Sequence, residues 1–387
     1  MYYLKQMGLM FSVLSIAACA EDVPDSVSLN INSKAVVATV AADFSSGAHS
    51  IIGNDESGER IALNDLVATG SDITMAAYDS HFYRIERAFS GNNITKFSSS
   101  DPQTPVWQYS TNDPVTMTAV ASDPHDMVFV SETKAYVIRY GSTKVWIVNP
   151  SAATEAEFKT GELDLSAYAD VADGLPEMDS GVIVDGRLYI TLQRLESFAV
   201  TQDAYLAIFD TTTDEEIDAN IAGDALKGIP LLTRNPTTII YEPIADVIYV
   251  QGSGSFFPVD YTSGIEKIDL TSLTSTLLLG DGDSVTHPYG LITELAAVSD
   301  DTLYFVGYEG FTDNTLYKLD LATTDITASG VASLVSGQIS DLEVDFFGML
   351  WVGDAANATV RIIDTLTDTE IDVLSTNLNP EKIVFVN

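Results

Sequence analysis

Two of the four histidines lie in short segments that combine proline with polar or aromatic residues. His125 sits in Asp123-Pro124-His125-Asp126, and His287 begins His287-Pro288-Tyr289. Imidazoles that converge with carboxylates can hold a divalent cation or act as acid and base. The candidate carboxylates are Asp126, Glu177, Asp179 and Asp341. The sequence has no HExxH motif and no two histidines at ligand spacing, so turns capped by Asp side chains are the alternative.

Arg139 and Arg194 are a second set of candidate groups. The chain has 18 Lys and Arg against 56 Asp and Glu, a formal net charge of −38. With so few cations, two guanidinium groups near one site could hold a carboxylate or a phosphate. They could equally neutralise neighbouring acids. The acidic balance disfavours nucleic acid and anionic lipid as partners, because both would be repelled.

The single cysteine, Cys19, follows a short apolar run at residues 7–18. That run is too short for a membrane span and is typical of a secretory leader. Ile16-Ala17-Ala18-Cys19 resembles the bacterial lipobox, in which the thiol accepts diacylglycerol. The resemblance implies a signal peptide at residues 1–18, a lipidated cysteine with an acidic tether at 19–33, and, from Ala20, an outer-membrane location on the periplasmic or extracellular face. A plain signal peptide with a chance cysteine is the alternative.

The elements that must position these groups are β-strands. Past residue 33, short apolar runs alternate with turns rich in Gly, Asp, Asn and Thr, without a helical period. A strand that carries a large aromatic residue recurs at intervals of roughly 50 residues, as in propeller repeats. The six aromatic residues are Tyr83, Tyr136, Tyr189, Tyr249, Tyr304 and Trp351. This pattern predicts an all-β fold made of four-stranded propeller blades.

The ends of the chain supply the parts of one more blade. Six complete repeats begin near Asp72, Asp123, Glu177, Asn235, Pro288 and Ser340. Residues 379–386 add a strand at one end, and residues 35–40 and 49–52 add strands at the other. We expect these strands to share a seventh blade, which closes the ring without free sheet edges. The sequence thus predicts one seven-bladed β-propeller over residues 34–387; a pair of β-sandwiches is the alternative.

The sixth repeat carries the most regular pattern. Ile339–Asp345 is followed by Gly348, by Leu350-Trp351-Val352 and by a Val-x-x-x-Asp strand at 360–364. This order resembles the blades of NHL and YVTN (YncE-like) propellers. The resemblance implies a scaffold and no single activity, because these families include lyases, sensors, adhesins and ligand-capturing surface proteins.

In such blades, the loop entering the innermost strand and the loop between the second and third strands emerge on one face. We call this the entry face, and the candidate groups above fall on it. Its second-to-third-strand loops are expanded in three consecutive repeats, and the aromatic residues there are Phe198, Phe256, Phe257, Tyr261, Tyr308 and Phe311. Such loops predict a binding surface, whereas aromatic clusters folded back on the blades are the alternative.

The segment Asp281-Gly282-Asp283-Ser284 has the Asp-x-Asp spacing of hard-cation loops but lacks the other ligands of an EF-hand. A structural Ca²⁺ and an ordinary turn are the two interpretations. The sequence indicates no other cofactor.

Together these features favour a recognition module, with catalysis left open. The lipid-anchored propeller would present its entry face to a small molecule, a glycan or an outer-membrane protein, for example as an accessory to a transporter. The predicted ligand-binding residues are His125, Asp126, Arg139, Glu177, Asp179, Arg194, Phe256, Phe257, His287, Tyr289, Tyr308 and Asp341. The alternative is a metal-assisted lyase, or a hydrolase that uses His125, His287 and Glu177 in a central funnel.

Overall fold

The computed structural model describes residues 34–113, 121–219, 223 and 225–386. These residues form seven antiparallel sheets of four strands each, arranged as the blades of a ring. The predicted all-β, seven-bladed propeller is therefore confirmed. The predicted signal peptide, Cys19 and the tether at 19–33 lie outside the described residues. Among the described residues, no helix has the length and apolar character needed to cross a bilayer.

The strands follow the chain in blade order. The strands at the start of the chain are β1 (Lys34–Val40), β2 (Gly47–Asn54) and β3 (Arg60–Thr69). Blade 1 comprises β4 (Ile73–Tyr78), β5 (His81–Glu86), β6 (Asn93–Ser98) and β7 (Asp101–Ser110). Blade 2 comprises β8 (Pro124–Ser131), β9 (Lys134–Arg139), β10 (Lys144–Val148) and β11 (Lys159–Asp164). Blade 3 comprises β12 (Met178–Val184), β13 (Arg187–Leu192), β14 (Tyr205–Asp210) and β15 (Ile229–Pro230).

The second half of the ring repeats this order. Blade 4 comprises β16 (Pro236–Glu242), β17 (Val247–Gly252), β18 (Gly264–Asp269) and β19 (Thr274–Gly280). Blade 5 comprises β20 (Leu291–Ser299), β21 (Thr302–Gly310), β22 (Asp313–Asp320) and β23 (Ile326–Ala328). Blade 6 comprises β24 (Ile339–Val344), β25 (Leu350–Asp354), β26 (Thr359–Asp364) and β27 (Thr369–Ser375), and β28 (Asn379–Val386) is the last of the described strands. The described residues also form five short 3₁₀ helices, at Ala88–Ser90, Glu155–Glu157, Ser166–Tyr168, Ala332–Leu334 and Ala355–Asn357.

The second strand of each blade is the most apolar because neighbouring blades cover both of its faces. In β13, for example, every residue from Leu188 to Leu192 is buried, whereas most residues of the outermost strand β27 are exposed. The aromatic residue predicted as a repeat marker lies at this buried position. Tyr136 packs with Leu188 and Ile190 of the next blade, so the core consists of interfaces between successive sheets.

In two blades, the hydroxyl of the repeat-marker tyrosine donates a hydrogen bond to an acidic turn of the following blade. Tyr136 Oη donates to Asp214 Oδ1 at 2.5 Å, and Lys134 Nζ lies 2.8 Å from the same oxygen. Tyr304 and Lys318 bind Asp368 in the same way, three blades further on. The acidic turns at Asp214 and Asp368 therefore join blades as well as facing solvent, because each supplies the partner that a buried tyrosine hydroxyl requires.

Blade 7 joins the two ends of the described chain. Its strand order is β28, β1, β2, β3, with β28 innermost. Val37 pairs with Ile383 and Val36 pairs with Val384 in antiparallel register. This pairing confirms the predicted closure, in which the C-terminal strand completes a sheet begun by the N-terminal strands.

Candidate functional site

The innermost strands of all seven blades surround a central channel with a volume of about 780 Å³. Because side chains alternate along a strand, the residues on one face of each inner strand point into this space. Its carboxylates are Asp126, Asp179, Glu294, Asp341, Glu343 and Glu381, and its cationic side chains are Arg87 and Lys382. The channel therefore concentrates negative charge at the axis of the ring.

Lys382 is paired with two of these acids. Its Nζ donates to Asp341 Oδ1 at 2.9 Å and also to Glu343. The other oxygen of Asp341 accepts the Ile383 N–H at 2.6 Å. Burial opposes the charged ammonium, but the attraction of Asp341 and Glu343 prevails and raises the pKa of Lys382 well above its usual value. Lys382 is therefore a fixed positive charge that is already paired.

Glu294 and Glu381 also line the channel, and neither carboxylate accepts a hydrogen bond from another group in the described part of the protein. Burial raises the pKa of Glu294 well above its usual value, and the charge of Asp341 adds to that rise. Burial likewise raises the pKa of Glu381. Two carboxylates without donors in one cavity favour either protonation or the arrival of a cation.

Asp126 is held rigidly in the channel wall. Its two oxygens accept the backbone N–H groups of Met127 at 2.7 Å and of Gly181 at 3.0 Å. The second of these bonds connects blade 2 to blade 3. Burial nevertheless raises the pKa of Asp126 to about 6. The charge of this part of the channel therefore changes close to neutral pH.

His125 lies between two carboxylates at the channel. Its Nδ1 is 2.9 Å from Asp179 Oδ2, and its Nε2 is 3.7 Å from Asp123 Oδ2. The ring stacks on Tyr140 at a centroid distance of 4.3 Å. Burial lowers the pKa of His125, but the two carboxylates outweigh burial and raise it. The protonated imidazole is thus favoured, and a carboxylate–imidazole pair of this kind is capable of acid–base chemistry.

Of the twelve predicted ligand-binding residues, the structure brings four together. His125, Asp126, Asp179 and Asp341 line the channel. The other eight lie outside its lining: Arg139, Glu177, Arg194, Phe256, Phe257, His287, Tyr289 and Tyr308. The binding role of each remains a prediction.

The two predicted arginines are bound within the protein. Arg139 donates to Asp113 Oδ2 at 2.7 Å, and its guanidinium carbon lies 4.3 Å from the centre of the Trp146 ring. Arg194 donates to the carbonyl of Tyr168 at 3.0 Å and to that of Asp203 at 3.1 Å. In the described structure, both guanidinium groups therefore brace neighbouring loops.

The three residues of the predicted hydrolase site are not gathered around one cavity. Glu177 is buried and accepts the Leu195 N–H at 2.9 Å, while burial and then the charge of Asp173 raise its pKa to about 8. His287 Nε2 lies 3.8 Å from Asp281 Oδ2. Only His125 of the three lines the channel.

The predicted Ca²⁺ loop forms a turn at one of its two acids. Asp283 Oδ1 accepts the N–H groups of Val285 at 2.7 Å and Thr286 at 2.9 Å. Asp281 is buried, and neither of its oxygens has a hydrogen-bond partner in the described structure. No group of three or more metal-ligating side chains occurs within residues 34–113, 121–219, 223 and 225–386. A structural Ca²⁺ here stays a prediction.

The predicted aromatic residues divide between the two interpretations given above. Tyr289 packs edge-to-face against Phe305 and Tyr317, so it belongs to the interior of blade 5. Phe256 meets Tyr308 edge-to-face at 5.2 Å, which links a loop of blade 4 to strand β21 of blade 5. Phe257 is almost fully exposed.

The sequence prediction missed five charged residues of the channel: Arg87, Glu294, Glu343, Glu381 and Lys382. Glu294 had a detectable signal, because it is the single charged residue in the otherwise apolar or small strand Leu291–Ser299. A charged residue inside the first strand of a propeller repeat points to the axis, where water or a ligand can solvate it.

Comparison with known proteins gives no matching family model and no matching curated protein. Among solved structures, a putative 6-phosphogluconolactonase from Bacteroides fragilis has a TM-score of 0.61 at 13% identity, covering 92% of this chain and 98% of its own. A streptogramin B lyase has a TM-score of 0.53 at 12% identity, covering 85% and 93%. AztD from Citrobacter koseri has a TM-score of 0.51 at 11% identity, covering 92% and 97%. At such identities these similarities show only that the chain shares the propeller fold with proteins of varied roles.

Proposed function

We propose that this protein is a non-catalytic recognition module that binds a small organic cation, such as a polyamine, in its central channel. The observation that carries the proposal is the pair of channel carboxylates without hydrogen-bond donors, Glu294 and Glu381. An amine ligand would supply donors and charge to both of these half-buried carboxylates, whereas an anionic or apolar ligand would leave them without a partner. A volume of about 780 Å³ suits a small organic molecule.

The setting of this module is the outer membrane. The lipobox-like segment that ends at Cys19 supports lipid anchoring, and the regular blade pattern supports a relationship to the YVTN and NHL propellers. β1 begins at Lys34 on the face opposite the entry face, because it is the second strand of its blade. A tether attached there would hold the entry face away from the anchoring membrane, where a ligand, a glycan or an outer-membrane protein such as a transporter can reach it.

Replacing Cys19 by Ser is expected to move the protein from the membrane fraction to the soluble fraction. Cys19 carries the only thiol in the chain, so it is the only group that lipoprotein processing can modify with diacylglycerol. The acyl chains supply the membrane affinity. Fractionation of cells that express the full-length chain, followed by immunoblotting, measures this distribution. An unchanged membrane fraction in Cys19→Ser would contradict the anchor.

A hydrolase or lyase is the second candidate, and the His125–Asp179 contact of 2.9 Å supports it. In acid–base enzymes a carboxylate orients the imidazole in this way while the other ring nitrogen faces the substrate. Here the other nitrogen faces Asp123 at 3.7 Å, and Glu177 and His287 lie outside the channel. Binding is therefore the better-supported function.

Spermidine, a trivalent amine, is expected to bind the purified protein at pH 8, and Glu294→Gln is expected to weaken that binding at least tenfold. A lost charge contact in a partly buried site is worth about 1.4 kcal/mol or more, which is a factor of ten in Kd. Isothermal titration calorimetry measures both affinities. Glu59→Gln, which removes the same charge from an exposed loop on the opposite face, is the matched control. Equal affinities for the two variants would exclude the channel as the site.

The same binding should tighten as the pH rises from 5 to 8. Burial raises the pKa of Asp126 to about 6 and that of Glu294 well above its usual value. Asp126 is therefore mostly protonated at pH 5 and gains charge by pH 8, and the raised pKa of Glu294 acts in the same direction, so attraction to an amine strengthens as the pH increases. Spermidine keeps its positive charge over most of this range, so weaker binding at pH 8 than at pH 5 would contradict the assignment.

A further inference from the structure

The entry face carries exposed phenylalanines on five of the seven blades. Each belongs to the loop between the second and third strands, and together we call them the phenylalanine crown. The members, with their exposed fractions, are Phe44 (57%), Phe89 (94%), Phe198 (83%), Phe257 (94%) and Phe311 (60%). Strand direction places all five loops on one face of the ring. The crown extends the aromatic loops predicted from three repeats, since Phe44 and Phe89 lie in short loops on blades 7 and 1.

The loops of the crown are held by specific backbone contacts. The N–H of Phe44 donates to the Ala41 carbonyl at 2.8 Å, and that of Phe89 donates to Asp72 at 3.0 Å. Isolated β-bridges, Glu196 with Ala199 and Phe256 with Val259, close the turns that carry Phe198 and Phe257. These aromatic side chains are therefore presented on ordered turns, which reduces the entropy cost of binding.

The spacing of the crown favours a large partner. Each member lies on a different blade around the axis, so a small ligand can touch only adjacent members, whereas a protein surface can cover all of them. Phenylalanine is among the residue types that are enriched at protein interfaces relative to the rest of the surface. Exposed apolar groups concentrated on one face also carry a cost in water that a partner would remove.

Carboxylates stand beside the crown. Asp43 precedes Phe44, Glu196 precedes Phe198 by two residues, and Phe311 lies between Glu309 and Asp313. Cationic side chains nearby are already engaged: Arg87 binds Asp72 at 2.9 Å and Arg234 binds Asp203 at 2.9 Å. The complementary surface must therefore present positive charge between apolar groups. Anionic lipid, nucleic acid and a second copy of this acidic face would all be repelled.

We propose that the phenylalanine crown is a docking surface for a partner protein whose contact surface combines Lys or Arg with apolar side chains. This inference goes beyond ligand binding in the channel and depends on different residues. Arginine and lysine can lie over aromatic faces while pairing with the adjacent carboxylates, and apolar groups can pack between the rings. A partner that binds here would cover the mouth of the channel.

Selection of random twelve-residue peptides displayed on phage against the immobilised full chain tests the proposal with defined probes. We expect the selected sequences to be enriched in Lys or Arg together with aromatic or aliphatic residues. The synthesised peptides should bind the quadruple variant Phe89→Ser, Phe198→Ser, Phe257→Ser, Phe311→Ser at least tenfold more weakly in fluorescence anisotropy. Because these side chains are exposed, the variant should fold normally, and its thermal unfolding is measured alongside.

The matched control is Phe346→Ser with Phe347→Ser, two exposed phenylalanines (62% and 78%) on the opposite face. This variant should bind the same peptides within twofold of the wild type. Selected peptides that bind the crown variant and the wild type equally, or that lack cationic residues, would overturn the proposal, as would a selection that yields no crown-dependent binder.

Two further measurements distinguish other occupants. Crown-dependent binding to vesicles of neutral phosphatidylcholine would replace the protein partner with a lipid surface, and crown-dependent dimerisation in sedimentation would replace it with a second copy. Spermidine binding should be unchanged in the crown variant, and peptide binding should be unchanged in Glu294→Gln. A failure of the channel proposal is therefore separable from a failure of the docking proposal.

Discussion

Deleting residues 379–387 is expected to abolish cooperative folding of the whole ring. The deletion removes β28, the innermost strand of blade 7, which pairs with β1 along its length. Strand β1, with the fully buried residues Val36 and Val37, would become an open edge of its sheet. The interface with blade 6 would also lose the side chain of Ile383. An unpaired, apolar edge strand also promotes aggregation. Circular dichroism during heating and size-exclusion chromatography measure the outcome.

A circular permutant provides the control for this deletion. Lys34 and Val386 are register partners, so a linker of a few residues can join the two ends. New termini placed between Leu366 and Thr367, in an exposed turn of blade 6, leave every strand present. The permutant should unfold cooperatively near the wild-type temperature. A cooperative transition in the deletion variant at the same temperature would contradict the role assigned to the closing strand.

Arg84→Met is expected to lower the free energy of unfolding by about 3 to 5 kcal/mol, the usual effect of removing one partner of a buried ion pair. Arg84 Nη2 lies 2.8 Å from Glu86 Oε1, and both side chains are 3% exposed. Arg84 also donates to the Val67 carbonyl at 2.5 Å, which ties blade 1 to blade 7. The substitution leaves the Glu86 carboxylate buried without its cation. Urea denaturation followed by fluorescence gives the change.

Two companion variants show whether burial is the cause. Arg60→Met removes a more exposed pair, Arg60 with Asp372 at 2.9 Å, and should cost less than about 1 kcal/mol. The double variant Arg84→Met, Glu86→Leu should recover more than half of the lost stability, because it also removes the unpaired charge of the Glu86 carboxylate. A double variant as unstable as Arg84→Met would show that the hydrogen bond to Val67, and not the ion pair, dominates.

The candidate site was less predictable than the fold. The entry-loop residues His125 and Asp179 were found from the sequence, because Asp-Pro and Gly-rich segments mark the ends of inner strands. Lys382 and Glu381 lie in the C-terminal strand, which the sequence pattern identifies only as the strand that closes the ring. Their position at the axis depends on which residues of β28 pair with β1 and on the bulge between Ala38 and Thr39. A shift of one residue would turn them into the blade interface.

The exposed aromatic loops, too, could be predicted from the sequence only in part. Length and composition singled out the loops with Phe198, Phe257 and Phe311, since long loops with large apolar groups are recognisable locally. Phe44 and Phe89 lie in short loops with no such signal. Only the arrangement of seven blades in a ring shows that all five phenylalanines share a face.

The periodicity of the sequence was enough to determine the all-β class, the seven repeats and the shared terminal blade, because strand patterns and turn residues act over short distances. The tertiary structure alone decided that six carboxylates from five blades line one channel together with Lys382 and Arg87, and that Arg139, Arg194, Glu177 and His287 do not join them. The physical reason is that strand register and blade packing set which side chain points to the axis, and these depend on contacts between residues far apart in the chain.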